Sequence, residues 1–287
     1  MQQRSSTTNA DAGSKSATAA GGAPAQAKGE TDLGRGFRTR FEIVPAVTDE
    51  LKDQTYRLRH SVYVDDLRFE PAQQYGRETD EYDAQAKGIL LRHIGTWEFI
   101  ACARLIRTPT DDPAQPLPFE RICAHALDHE RLRAESIPRA GIAEVSRLAV
   151  ISKFRRRQGE APVPAPLDDR DFGNMHFPRF PYLIIGLYLG IIALARLDGI
   201  KRLYLLTEPR LAEYLSRLGV EVVPVGGPLE HRGTRIPSMI DVDGVVAHLN
   251  RHVKPLFDEI VRQLGNPWAT PDRRASASPV RAGRSAS

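Results

Sequence analysis

The sequence predicts an α/β fold with a mixed, mostly antiparallel central sheet flanked by helices, and three observations carry that expectation. Period-two and period-3.6 patterns follow one another as strand, helix, a run of antiparallel strands, then strand, helix, strand, helix, strand. Residues 88–95 and 98–106 read as neighbouring strands joined by a short turn at Gly95-Thr96-Trp97. The segment 181–197 is densely apolar from Tyr182 to Ala195. That suits a helix buried inside the core, since a membrane span needs about 20 such residues.

The chain of 287 residues is 41% hydrophobic and 26% charged, ordinary values for a globular domain with a sizeable core. Both ends depart from this composition. No Leu, Ile, Val or aromatic residue precedes Leu33, and a Ser/Ala/Arg-rich run follows Trp268. Such segments cannot offset their ordering entropy. The expected organisation is a disordered tail over 1–36, one domain over 37–265 and a second disordered tail over 266–287. The first of these lacks the continuous apolar core of a signal peptide.

Forty Lys and Arg against 36 Asp and Glu leave a net charge of +4, an excess that suits an acidic partner without demanding nucleic acid. Cys102 and Cys123 are too few for a disulfide framework, and no Cys/His spacing matches a zinc site. A reducing cytoplasm fits that usage. No metal ligand set is expected: Asp241-Val242-Asp243-Gly244 lacks the later ligands of a calcium loop and reads as a turn before the last helix. Cys102 lies inside an apolar strand, where a thiol packs and is inert.

In chain order, a first strand is expected over 37–44. Thr48 then caps a helix opened by Asp49 and Glu50, whose inward stripe is Leu51, Thr55, Leu58 and Val62. Arg59 and Tyr63 form an i, i+4 pair on a neighbouring face. A polar loop spans 70–83, the two strands follow, and 107–139 is irregular with a helical piece at 119–127. Beyond a proline-rich loop at 158–179 come helix 181–197, strand 201–206, a helix at 208–218 stopped by Gly219, strands at 220–225 and 236–242, and a last helix over 244–264.

The chemistry concentrates in Ala143-Glu144-Val145-Ser146-Arg147-Leu148-Ala149-Val150. Strict strand alternation puts Glu144, Ser146 and Leu148 on one face and Val145, Arg147 and Ala149 on the other. A carboxylate, a hydroxyl and a guanidinium within an apolar strand each need a partner. From the strand alone, a salt-bridged sheet edge and a reaction site are both open.

A wider set of blocks separates them. In order, Leu58-Arg59-His60-Ser61-Val62-Tyr63-Val64, Leu67-Arg68-Phe69-Glu70, Thr79-Asp80-Glu81-Tyr82-Asp83, Ala103-Arg104-Leu105 and Glu144-Val145-Ser146-Arg147 resemble the blocks of acyl-homoserine-lactone (autoinducer) synthases. The chain is most similar to the PEP-CTERM/exosortase system-associated acyltransferases, related proteins of GNAT-like fold. The resemblance runs from about Phe37 to Leu264. It implies a GNAT-like acyltransferase in which Arg59, Tyr63 and Phe69 shape the amino-substrate pocket. Asp80 and Asp83 stand on its two acidic positions, and Arg104, Glu144, Ser146 and Arg147 match the remaining polar ones. Tyr63 stands where the synthases have Phe, and Phe69 where they have Trp, which alters the wall beside the acceptor.

Amine attack on a thioester suits these residues. A free α-amino group has a pKa of about 7.7–8.0, so a base and a carboxylate clamp both help near neutrality. Glu144 is the candidate base, acting through water, with Ser146 beside it. Asp80 and Asp83 would hold the acceptor's ammonium, themselves fixed by Arg59 and Arg104. For the donor, Arg156-Arg157-Gln158-Gly159-Glu160-Ala161 fits the letters of a coenzyme A pyrophosphate loop. Pro162, Pro164 and Pro166 follow where its helix should begin. Arg155, Arg156 and Arg157, with Lys153 nearby, are therefore expected to dock acyl carrier protein, as the resemblance implies. The expected activity moves a fatty acyl group from carrier-protein phosphopantetheine to a small amine, without a tightly bound cofactor. Coenzyme A is the alternative donor. A lactone-forming autoinducer synthase and a catalytically silent carrier-binding protein are the alternative functions.

Overall fold

The computed structural model describes residues 32–109, 111–134, 137–155 and 181–265. The elements run α1 (Leu33–Arg38), β1 (Phe41–Pro45), α2 (Asp49–Arg59), β2 (Ala86–His93), β3 (Phe99–Arg107), α3 (Pro118–Ile122), α4 (His129–Ala134), β4 (Ile142–Val150) and α5 (Ser152–Arg155). They continue with α6 (Tyr182–Leu197), β5 (Arg202–Thr207), α7 (Pro209–Arg217), β6 (Val223–Pro224), β7 (Leu229–Glu230), β8 (Thr234–Asp241), α8 (Val242–His248) and α9 (Lys254–Leu264). The sheet order is β1-β2-β3-β4-β5-β8-β6, with β7 on β8. All pairings are antiparallel except β4 with β5. This is the mixed, mostly antiparallel sheet that the sequence predicts.

Helix α6 is apolar on every side because it is covered on every side. Its residues from Ile184 to Ala195 are buried between the sheet and α8 and α9. Two glycines permit that fit: a β-carbon on Gly186 would stand 2.5 Å from the Phe37 ring, and one on Gly190 2.9 Å from Ile89 Cδ1. Helix α2 covers the opposite face, where Leu58, Val62 and Tyr63 meet Leu90, Cys102 and Ala149. Thr48 caps it by accepting from the Leu51 amide at 3.3 Å, as a Thr before two acidic residues should. Below it, α3 packs with Ile106, Ile142 and Tyr204 on the same face.

Five expectations change. The strand expected over 37–44 is split: Asp32 caps α1 by accepting from the Gly34 and Arg35 amides, Leu33 and Phe37 are buried one turn apart, and the strand begins at Phe41. Of the residues placed in the expected tails, Asp32 caps that helix and 33–36 form its first turn; the rest lie outside the described residues. The helix expected over 244–264 is two. Leu249 is extended (φ −55°, ψ 131°), the Asn250 side chain accepts from the His252 amide, and Pro255 opens α9, where its missing N–H costs nothing. The strand expected over 220–225 is reduced to Val223–Pro224, and the helical piece expected at 119–127 to Pro118–Ile122.

Candidate active site

Strand β4 supplies the centre of the site, and it does not alternate strictly. Opposite it on β3, Arg104 pairs with Ser146 and Cys102 with Ala149, so two steps on β3 match three on β4. The extra residue is a β-bulge, with Arg147 in the left-handed region at φ 50°. Its effect is a change of face. Val145 and Val150, five apart, both enter the core under α6, whereas Glu144, Ser146 and Arg147 all lie with Arg104 on the α2 side. The expectation that Arg147 faces away from Ser146 is therefore corrected, and Leu148 turns to the α6 side instead.

Around this face four guanidiniums meet four carboxylates. Arg59 grips Asp83 with both terminal nitrogens (2.6 and 3.1 Å) and donates its Nε to Glu78. Arg104 grips Asp80 in the same bidentate way (2.7 and 2.8 Å), reaches Asp83 at 2.8 Å and donates its Nε to Ser146 Oγ at 3.1 Å. Arg147 donates to Glu78 (3.0 Å) and Glu70 (3.2 Å), and Arg232 to Glu70 at 2.7 Å. Asp80 and Asp83 are tied to each other too: Asp80 caps the 3₁₀ turn Glu81–Gln85, and the Asp80 amide donates to Asp83 at 2.9 Å. Burial opposes ionisation of Glu78, Asp80 and Asp83, yet the arginines outweigh it and hold all three below the usual carboxylate range. The acids are charged, and their oxygens are already engaged.

Glu144 is held differently. It is 5% exposed, beyond the reach of any guanidinium in this set, and its Oε2 accepts the Phe119 amide at 2.8 Å. The Phe119 ring stacks on Tyr204, the residue across from Glu144 on β5, with centroids 4.6 Å apart. Burial pushes the Glu144 carboxyl up to about 8, against the Phe119 N–H and the Arg104 charge. Helix α3, which supplies that amide, is anchored through Glu120, which accepts two bonds from Arg139 (2.6 and 2.9 Å).

The parallel pair parts at this point. Strands β4 and β5 are in register only from Ile142 to Glu144, although β4 continues to Val150. Ser146 lies two residues past the last pair, half-buried, with its oxygen accepting from Arg104 and its own proton left to donate.

The structure thus brings together Arg59, Asp80, Asp83, Arg104, Ser146 and Arg147, with Glu144 on the same strand face. Tyr63 is 6% exposed, and its hydroxyl donates to the Leu148 carbonyl at 2.9 Å, so it presents no open wall to an acceptor. Phe69 lies under the Arg232 guanidinium at 5.2 Å. Lys153 is exposed and 3.4 Å from Glu98. Arg156 and Arg157 lie outside the described residues, as does the proline-rich loop. Glu70, Glu78 and Arg232 were not among the expected site residues. A signal for the first two existed: three arginines placed in a buried helix and buried strands need as many buried carboxylates. Between α2 and the sheet, a cavity of about 30 Å³ reaches Tyr56, Arg59, Asp83, Cys102 and Arg104, room for about one water. A groove of about 540 Å³ opens outside it along Lys52, Tyr56, Arg77 and Asp83. Among the described residues no His/Cys/Asp/Glu group is arranged to hold a metal, and no helix is long and apolar enough to cross a membrane.

Residues 58–163 match the acetyltransferase (GNAT) domain family. No curated protein matches the sequence. Among solved structures, BjaI with MTA, described as a CoA-dependent acyl-homoserine lactone synthase, is 18% identical with a TM-score of 0.51 over 77% of this chain and 89% of that one. TofI in a ternary complex with an inhibitor and MTA is 19% identical, with a TM-score of 0.50 over 76% and 96%. MesI, also described as a CoA-dependent acyl-homoserine lactone synthase, is 18% identical, with a TM-score of 0.50 over 76% and 95%. At such identities the shared property is the fold. The GNAT acetyltransferase match over residues 58–163 includes β4 and the site built on it, and on that match the chain is an acyltransferase.

Proposed function

We propose that this acyltransferase moves a fatty acyl group from a thioester on acyl carrier protein to an amine, and serves a PEP-CTERM/exosortase system. The observation that carries the reading is Glu144, a buried carboxyl at about 8 beside the point where β4 and β5 part. An α-ammonium of pKa about 7.7–8.0 and a carboxyl near 8 exchange a proton at almost no cost. Glu144 takes the ammonium's proton through water, the freed amine attacks the thioester carbonyl, the C–S bond breaks, and the proton that the attacking nitrogen then sheds goes to the departing thiolate. The Ser146 hydroxyl and amides of β4 beyond Glu144 are suited to meet the oxyanion, where one donor is worth about a hundredfold or more.

Asp80 and Asp83 frame the acceptor side, fixed by Arg59 and Arg104. An incoming ammonium shares carboxylates that the arginines have already oriented. Lys153 and the arginines after it follow the C-terminal end of β4, and the exposed Lys153–Glu98 pair is weak enough for an acidic partner to displace. The association with an exosortase system rests on the resemblance of the ordered blocks.

The test uses acyl groups of matched length on acyl carrier protein and on coenzyme A, with thiol release followed over a panel of amines and N-acyl products identified by mass spectrometry. Faster turnover of the carrier-protein thioester with a linear N-acyl product is expected. Thioester binding without thiol release would overturn the enzymatic reading, and a cyclised lactone product would replace it with autoinducer synthesis.

A further inference from the structure

Both carbonyls at the β4 bulge accept from side chains of neighbouring elements. Leu148 O takes the Tyr63 hydroxyl at 2.9 Å, and Arg147 O takes the Cys102 thiol at 3.8 Å. Burial raises the thiol to about 12 and raises the Tyr63 hydroxyl too, so both stay protonated and remain donors at ordinary pH.

Tyr63 belongs to a π-helical turn, His60–Asp66, that continues α2. Its carbonyl accepts the Phe69 and Glu70 amides at 2.7 and 3.1 Å, and its ring lies 5.5 Å beneath the Arg147 guanidinium. One residue therefore touches the bulge with its hydroxyl, Arg147 with its ring, and the Phe69–Glu70 segment with its backbone. Arg147 itself keeps a left-handed conformation that a non-glycine residue holds only where its surroundings over-determine it.

We infer that the Tyr63 hydroxyl is a positioning group for acyl transfer: its bond to Leu148 holds the β4 bulge, which directs Arg147 into the ion network and the β4 edge beyond Glu144 toward the donor thioester. The inference rests on the acyl-transfer reading above. It gives position 63 a role through the strand, not through contact with the acceptor, and makes the hydroxyl, which a Phe would lack, the functional part of the side chain.

Tyr63→Phe removes one oxygen and nothing else. Two measurements follow it in the full chain: amide hydrogen exchange across 145–151 in the protein alone, and thiol release from dodecanoyl-acyl carrier protein, above the enzyme-free rate, with the amine panel named above. Exchange at the bulge is expected to accelerate roughly tenfold, the loss of about one hydrogen bond. The kcat, normalised to the fraction of protein that thermal unfolding shows folded at the assay temperature, is expected to fall at least about tenfold while KM for the thioester stays within about twofold, the mark of an interaction made in the transition state. Unchanged exchange overturns the latch. Faster exchange with unchanged kcat overturns the positioning role. If the unaltered protein releases no thiol while exchange still accelerates in the variant, the acyl-transfer reading falls and takes the positioning role with it, and the latch stands as architecture. Should Tyr63→Phe not fold, Cys102→Ala, which removes the donor to the neighbouring bulge carbonyl, is held to the same criteria.

Discussion

Replacing Glu144 by Gln separates its chemistry from its packing, because the amide keeps the shape of the neutral acid and its carbonyl oxygen can still accept the Phe119 amide. With a carboxyl near 8, about a tenth of the protein carries the ionised base at pH 7 and about nine-tenths at pH 9. Turnover of the unaltered protein should therefore rise about tenfold over that range, on top of any rise from deprotonation of the acceptor. The variant should lose on the order of 100 to 10,000-fold in turnover and retain only the acceptor's contribution to the pH profile. Stability moves the other way. The folded-state pKa is raised above the ordinary value of 4.5, so the contribution of Glu144 is fully present below about 4.5 and is lost as pH rises through about 8. Full ionisation costs on the order of 5 kcal/mol, and Gln escapes it. Single-turnover thiol release and thermal unfolding, both measured from pH 5 to 9, test the pair of signs. Near-normal turnover in the variant, or a gap in thermal midpoint that fails to widen with pH, would refute the assignment.

Three further outcomes follow from the geometry. Asp83→Asn strips a carboxylate from two buried guanidiniums at once and should cost about 3–5 kcal/mol in denaturant unfolding, whereas Asp80→Asn, half-buried, should cost less and raise the KM of the acceptor more than that of the donor; equal damage to both substrates would mark the pair as structural. Replacing Arg155, Arg156 and Arg157 by Ser should slow encounter with an acidic carrier and flatten its salt dependence, read from kcat/KM at low and high salt; a preference for the coenzyme A thioester in the unaltered protein would defeat the carrier assignment. Gly186→Ala places a methyl group 2.5 Å from the Phe37 ring and should destabilise by about 1–3 kcal/mol, and an unchanged thermal midpoint would mean that α1 shifts aside freely.

Much of the sheet could be read from periodicity because the buried strands and α6 carry uninterrupted apolar runs. The misreadings share a cause: each turned on a single residue whose effect is tertiary. Helix α1 contains Gly34 and Gly36, which lower helix propensity, and its cap Asp32 sits in a polar tail. The last helix breaks at Leu249–Val253, a break that Pro255 hinted at but only the packing of Asn250 against the Leu218 carbonyl completes. In the site, Glu144, Ser146, Arg104, Asp80 and Asp83 were legible as ordered blocks. The face of Arg147 was not, because one extra residue in a strand reverses every side chain after it. Glu70 was passed over for the same reason, since Arg147 reaches it only from the bulged strand, whereas Glu78 also meets Arg59 on α2 and was a partner that the buried helix arginine called for.

The three-residue register between β4 and β5 also divides the sheet along the sequence. On one side lie β1 to β4, all drawn from residues 41–150; on the other, β5 to β8, all drawn from 202–241. Each half is laced by antiparallel ladders, and α6 is the strut that spans them. Such an arrangement opens most cheaply along the seam, as two cooperative units that part before either unravels. A thioester seated there would act as a rivet between the halves. Its binding should be legible in proteolysis, as a loss of cleavage on both sides of residues 156–180 at once, before any turnover is measured.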